Sequence, residues 1–324
     1  MDETGLFEPF DRMLADLFSS ATVRQIEQGA PDAAIWNSLD ASGFLDALVC
    51  AARGGANLSF AAVLPLFLAL GRRAVPLPVG ETMIARALLA QAGREYPHGP
   101  ILLGVASLTL PGAEHAESIL AADSGRLNLQ RRDGDEAASA AIGLSIGLSD
   151  DMLSRKAQAG AMEADGAGSM APAAALLYAA LIVGAGEAVL AMSVDYALQR
   201  IQFGKPIARQ QALQQNLAVA SEHVVAARMA CETAVRHGGW PSPLTAASAK
   251  LIAARAATVV TRIAHGLHGA IGISGEHDLN LFTRRIHAWR LAGGAENYWA
   301  GRIGREILAD VRPTLDLVRE EMFS

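Results

Sequence analysis

Cysteine is almost absent from this 324-residue chain, with Cys50 and Cys231 its two examples. They form no spaced motif. That excludes a disulfide framework and a cysteine-ligated zinc site, and fits a reduced, cytoplasmic compartment. Charged residues are also sparse, at 19%, and the net charge is −6 without a dominant basic cluster. Nucleic acid is therefore not an expected partner. Aromatic residues make up 5%, and no tryptophan occurs between Trp36 and Trp240. Met1-Asp2-Glu3-Thr4 lacks a basic stretch followed by an apolar run, so no signal peptide is expected. The uncharged stretch 171–183 is short for a bilayer before Gly184, Gly186 and Glu187 intervene. It reads as a core helix, and no membrane partner is expected. No period of about 20–50 residues repeats, which excludes a solenoid.

Alanine and leucine supply most of the 51% hydrophobic content, and both are strong helix formers. Phe10, Met13, Leu14 and Leu17 recur at helical spacing. Asp32 and Ser38 stand where helix caps are expected, 58–70 reads as a helix stopped by Gly71-Arg72-Arg73, and 81–92 as another. Short apolar runs at 101–106, 118–122 and 127–129 read as strands. Asp123-Ser124-Gly125 and Asp133-Gly134-Asp135 read as turns. Residues 161–171 read as a linker before Pro172, which suits a first helical position. Helices are then expected over 173–200, about 42 Å long, and over 210–237, 245–265 and 296–311. The resulting division is 1–96 helical, 97–168 a short β region, and 169–324 a helical bundle.

Val183-Gly184-Ala185-Gly186-Glu187-Ala188-Val189 fails as a dinucleotide fingerprint, because Val189 takes the third glycine position and no strand precedes it. Its glycines read as close helix packing. His268, Glu276, His277 and Asp278 match no zinc spacing, so no metal is expected.

More informative is Arg200-Ile201-Gln202-Phe203-Gly204-Lys205-Pro206-Ile207. A cation at a helix C-terminus complements the dipole, but that does not account for the residues that follow it. Arginine can grip a pyrophosphate with paired donors, and an aromatic can pack on adenine or ribose. Gln211 and Gln215 follow on one helix face. Further on stands Leu267-His268-Gly269-Ala270-Ile271-Gly272-Ile273-Ser274-Gly275-Glu276-His277-Asp278.

Together these two blocks resemble the signatures of the acyl-CoA dehydrogenase flavoproteins, and Ser42-Gly43-Phe44-Leu45 resembles a weaker N-terminal pattern of that family. The resemblance implies a mainly α fold with a small β insert and a C-terminal four-helix bundle. It implies FAD held through Arg200, Gln202, Phe203, Gln211, Gly266, His268 and Gly269, an acyl-CoA substrate, and a dimeric or tetrameric assembly. Electron-transfer flavoprotein is one acceptor consistent with it. Gly266 replaces the family's usual glutamine and Ala270 its usual glycine.

The same resemblance exposes a gap. The family's catalytic carboxylate opens a Glu-Gly-Thr stretch about twelve residues before an Arg-Glu pair, and counting back from Arg305-Glu306 reaches Gly293-Gly294-Ala295. The alternative base position, early in the first long helix of the bundle, reads Ala174-Ala175-Leu176-Leu177-Tyr178. Neither site holds a carboxylate. The chain thus resembles the shortened non-catalytic subunit of heteromeric members that act on bulky, steroid-type CoA esters. Two rivals stand beside it: a homo-oligomeric enzyme using Glu296 as base, and a scaffold without flavin.

Overall fold

The structure is a computed structural model that describes residues 5–104, 111–123, 126–131 and 167–323. Both expected turns include residues outside this set, as do the first residues of the chain, the end of the first expected strand, and residues 161–166 of the expected linker.

Five helices open the chain: α1 (Phe7–Leu17), α2 (Ser20–Glu27), α3 (Ala33–Ala41), α4 (Phe60–Arg72) and α5 (Val79–Gln91). Ser19 and Ser59 cap α2 and α4 by accepting from the amides of Thr22 and Ala62. The expected caps in α3 differ. Asp32 stands at the N-terminus but makes no cap bond, and instead meets His115 Nδ1 at 2.6 Å. Ser38 lies inside the helix, donating to the Ala34 carbonyl.

Three strands follow: β1 (Ile101–Gly104), β2 (Ser118–Asp123) and β3 (Arg126–Arg131). β2 is central, parallel to β1 and antiparallel to β3.

The long helix α6 (Ala167–Gln199) starts before Pro172, so 167–171 is helix rather than linker. Proline is tolerated there because it lies near the first turn, where few helical N–H bonds are lost. Gly184 and Gly186 do not interrupt α6. A Cβ at Gly184 would strike the Leu68 carbonyl oxygen, and one at Gly71 the Leu181 carbonyl oxygen. α4 ends at Arg72 with Arg73 as its C-cap, within the expected 71–73 stop. Each glycine lets the backbones of α4 and α6 touch. Every residue from Ala173 to Val183 is buried, by α4 and by the helices below. With 0% side-chain exposure at Leu176, Leu177 and Tyr178, α6 is the axis of the main core. Each buried leucine contributes about 1.5–3 kcal/mol of transfer free energy.

A short hairpin, β4 (Ile201–Gln202) with β5 (Lys205–Pro206), leads into α7 (Gln211–Ala234). Then come α8 (Pro243–His268), α9 (Leu279–Leu291), α10 (Glu296–Ala309) and α11 (Thr314–Phe323). α8 begins with a Ser242 cap followed by Pro243. The bundle is α6, α7, α8 and α9. The helix expected as its fourth member, near 296–311, is α10, which packs mainly on α8. Helices α6 and α8 are long and apolar enough to cross a membrane, contrary to the length argument above, yet both are mostly buried inside this fold.

Candidate flavin site and vacant base position

The first motif block is the β4–β5 hairpin. Its two turn residues, Phe203 and Gly204, have φ of +52° and +74°. Two positive φ values in a two-residue hairpin match the right-handed twist of the strands. Glycine adopts this freely. Phenylalanine pays about 1–2 kcal/mol for it, and its ring is 92% exposed. Strain held at an exposed aromatic marks a position that folding alone does not explain. Arg200 lies just beyond α6, its amide still bonded to the Tyr196 carbonyl and its own carbonyl accepting from the Ile207 amide. The Arg200, Gln202 and Gln211 side chains are exposed, and the Arg200 guanidinium makes no ion pair among the described residues.

The second block begins at the end of α8. Gly269 ends that helix with φ +65° and leads into a 3₁₀ turn, Gly269–Ile273. Gly266, Gly269, Ile271 and Ile273 are exposed, whereas the His268 ring is buried. His268 Nδ1 lies 2.8 Å from the Ala264 carbonyl, and its ring stacks on Tyr196 with centroids 4.5 Å apart. His277 meets both rings edge-on. This trio joins the two blocks, with Ala197, Ile207 and Leu267 packed nearby. Burial lowers the His268 pKa, so the stacked ring is neutral near pH 7. No group of three metal-capable side chains occurs among the described residues, and Asp278 instead engages α2.

The residues that the resemblance would align with a base, 293–295, form the loop between α9 and α10. Gly293 and Gly294 have φ of +65° and +104°, and both are buried. A Cβ at Gly294 would lie 2.5 Å from Tyr298 Cδ1 and 2.9 Å from Trp299 Nε1. Glu296 stands in the first turn of α10, and Arg290 Nε donates to its carboxylate. At the alternative base position, Tyr178 is fully buried, and the Lys250 ammonium stands 5.9 Å from its ring centre. Lys250 donates to the Trp289 and Arg290 carbonyls at 2.7 and 2.9 Å, closing the C-terminus of α9.

Across Tyr178 lies Glu81 on α5. The Tyr178 hydroxyl has no well-aligned partner among the described residues, and the Glu81 carboxyl is its polar neighbour. Desolvation raises the Glu81 pKa to about 7 and lowers that of Lys250 to about 7. Glu81, Tyr178 and Lys250 thus form a polar seam through the apolar core, running from α5 past Tyr178 on α6 to the C-terminal end of α9. Motif reading missed this seam. The signal available was Lys250 itself, a cation inside an alanine-rich apolar helix face. The cavity beside Glu81, reaching Leu181, Arg285 and Trp289, holds about 10 Å³, room for about one water.

Residues 169–308 match the family described as acyl-CoA dehydrogenase, C-terminal domain. The chain is 32% identical over 249 residues to acyl-CoA dehydrogenase IpdE2 of Mycobacterium tuberculosis, covering 72% of this chain and 74% of that one. Its fold is similar to the ChsE4-ChsE5 complex from the same organism, with a TM-score of 0.73, 18% identity, and 95% and 97% coverage of this chain and that one. It is also similar to the Tcur3481-Tcur3483 steroid ACAD, with a TM-score of 0.71, 18% identity, and 94% and 97% coverage. The chain belongs to the acyl-CoA dehydrogenase family of oxidoreductases, whose cofactor is FAD. The exposed Arg200 and the strained, exposed Phe203 fit that cofactor in chemistry: a free fork of donors and an open ring.

Proposed function

We propose that this chain is the partner subunit of a heteromeric acyl-CoA dehydrogenase that acts on a bulky, steroid-type CoA thioester, and that it does not itself supply the base. The observation that carries the reading is the Gly293-Gly294 turn. Both residues hold positive φ, and Tyr298 and Trp299 fill the space where a side chain at Gly294 would stand. A carboxylate is required to take the α-proton of the thioester, and neither this loop nor the start of α6 offers one.

FAD, when bound, accepts the hydride from the acyl β-carbon. In this reading the chain lends the cofactor its nucleotide end. Arg200 offers paired donors to the pyrophosphate, and Phe203 packs against the adenosine. Gln202 and Gln211 add polar contacts, while Gly266 and Gly269 let the second block's backbone approach. His268 holds that backbone in place from beneath. The apolar side chains exposed around the blocks, Leu198, Ile201, Ile271 and Ile273, are consistent with cover by another subunit. The all-round apolar surface of 173–183 gives no such support, because the chain's own helices bury it.

The proposed setting is a cytoplasmic heterotetramer with a catalytic acyl-CoA dehydrogenase subunit, with electron-transfer flavoprotein as acceptor. We take 1–96, 97–168 and 169–324 as its domains. The homo-oligomeric rival requires Glu296 as base, but Arg290 engages that carboxylate. The flavin-free rival leaves the strain at Phe203 without a purpose. The test is to purify the chain alone and with candidate catalytic subunits, then measure flavin absorbance and acyl-CoA oxidation. Turnover is expected in the complex alone. Oxidation by the isolated chain at the rate of a complex would overturn the reading.

A further inference from the structure

One face of α2 grips the far end of the second block. Asp278 accepts from Ser20 Oγ at 2.6 Å and from Arg24 Nη2 at 2.7 Å, one carboxylate oxygen each. Farther along the helix, Glu27 accepts from Arg284 and Arg285 at 2.6 and 2.8 Å. Ser20, Arg24 and Glu27 are spaced i, i+4, i+7, so they share one face of α2. That face therefore holds both the end of the 269–278 loop and the middle of α9.

Besides this brace, the loop is held by the His277 ring, which meets Tyr196 and His268 edge-on and accepts from the Leu279 amide at Nδ1. Its near end turns at Gly269, and Ala270, Ile271 and Ile273 are exposed. The Ser274 amide and hydroxyl both return to the Ile271 carbonyl, and Asn280 donates to the Ser274 carbonyl at 3.0 Å. The stretch 270–276, mostly exposed and held by local hydrogen bonds, sits toward the low end of local stability. Fixing both oxygens of Asp278 sets the position and the roll of its carboxylate, and so the path of the backbone before it.

We propose that Arg24, with Ser20 and Glu27, is a positioning residue: it sets the 269–278 loop and, through that loop, the backbone's approach to the flavin nucleotide. The second half rests on the flavin reading above. The Arg24 and Asp278 side chains are 27% and 39% exposed, so the pair adds little to global stability. Its effect is local.

The experiment uses the complex of the chain with its catalytic subunit. Amide hydrogen exchange over 269–278, FAD dissociation and the melting temperature are measured for the parent, Arg24→Glu, Arg24→Lys, Ser20→Ala and the reciprocal pair Arg24→Asp with Asp278→Arg. In Arg24→Glu, loop exchange and FAD release are both expected to rise about tenfold, with little change in melting temperature. Arg24→Lys and the reciprocal pair should restore both. Ser20→Ala should give a smaller effect of the same kind, and it serves where Arg24→Glu does not fold. Unchanged loop exchange overturns the proposal, as does a loosened loop with unchanged FAD release. A parent complex without flavin defeats the flavin reading and the second half together, and loop exchange then judges the brace alone.

Discussion

Tyr196 and His268 stack with ring centroids 4.5 Å apart and planes 26° from parallel. One belongs to the last turn of α6, the other to the end of α8. Their contact fastens the hairpin that carries Arg200 to the loop that follows Gly269. Losing the ring in His268→Ala should lower stability by about 1–3 kcal/mol, read by chemical denaturation. The pH dependence has a definite sign. Burial lowers the folded pKa of His268 below its ordinary 6.5, so the unfolded chain binds more protons in acid. Its contribution is present above about pH 6.5 and is lost as pH falls. His268→Phe should keep most of the stack and flatten that part of the pH profile.

At Arg200, truncation to alanine should weaken FAD retention in the complex by about 1.5–3 kcal/mol, the loss of a charge-assisted contact. Arg200→Lys should recover part of it, because the fork geometry is gone. Equilibrium dialysis with flavin fluorescence reads both. Tight retention by the alanine variant would remove the assigned role.

Phe203→Gly should separate folding from function. Glycine relieves the φ of +52°, so stability should hold or rise by up to about 1–2 kcal/mol. FAD affinity should fall at the same time, as the exposed ring is lost. A variant that gains stability and keeps its flavin would show that the ring does not touch the cofactor.

For catalysis, Glu296→Gln should leave turnover of the complex near the parent value. A drop of about a hundredfold or more, with assembly and flavin content intact, would make Glu296 a base. Gly293→Glu should not create activity, because φ of +65° there disfavours any side chain. Steady-state oxidation of an acyl-CoA with an artificial electron acceptor measures both.

The core seam predicts two opposite pH slopes. Glu81 binds its proton more tightly folded than unfolded, with a pKa of about 7 against 4.5. Its contribution therefore declines as pH rises from about 4.5 to 7. Lys250 binds its proton less tightly when folded, about 7 against 10.5, so stability should rise again between those values. The charges facing Lys250 are Glu296, which favours the ammonium, and Arg290, which opposes it. Glu81→Gln should remove the lower slope and Lys250→Met the upper, in melting curves taken across pH.

Local pattern was enough to determine the helical character of this chain, its three short strands near 101–131, and the two blocks that mark a flavoprotein. Those features live in adjacent residues: alanine and leucine at helical spacing, a proline or glycine at a break, Arg200 four residues before a glycine. That 293–295 and 174–178 hold no carboxylate was legible too, since a missing residue type needs no coordinates to detect. Other features depended on residues far apart in the chain. The close packing expected at Gly184 found its partner only in the fold, where Gly184 meets the Leu68 carbonyl and Gly71 the Leu181 carbonyl. The fourth bundle member proved to be α9 because packing against α6, rather than apolar content, decides membership. Asp278 read only as the last residue of the second block until α2 came to meet it across the fold. The Glu81–Tyr178–Lys250 seam exists because α5, α6 and α8 converge, and burial is the largest cause that moves its two ionisable ends toward neutrality. Spacing along a chain determines which side chains share a face. Which face meets which is settled only when the core closes.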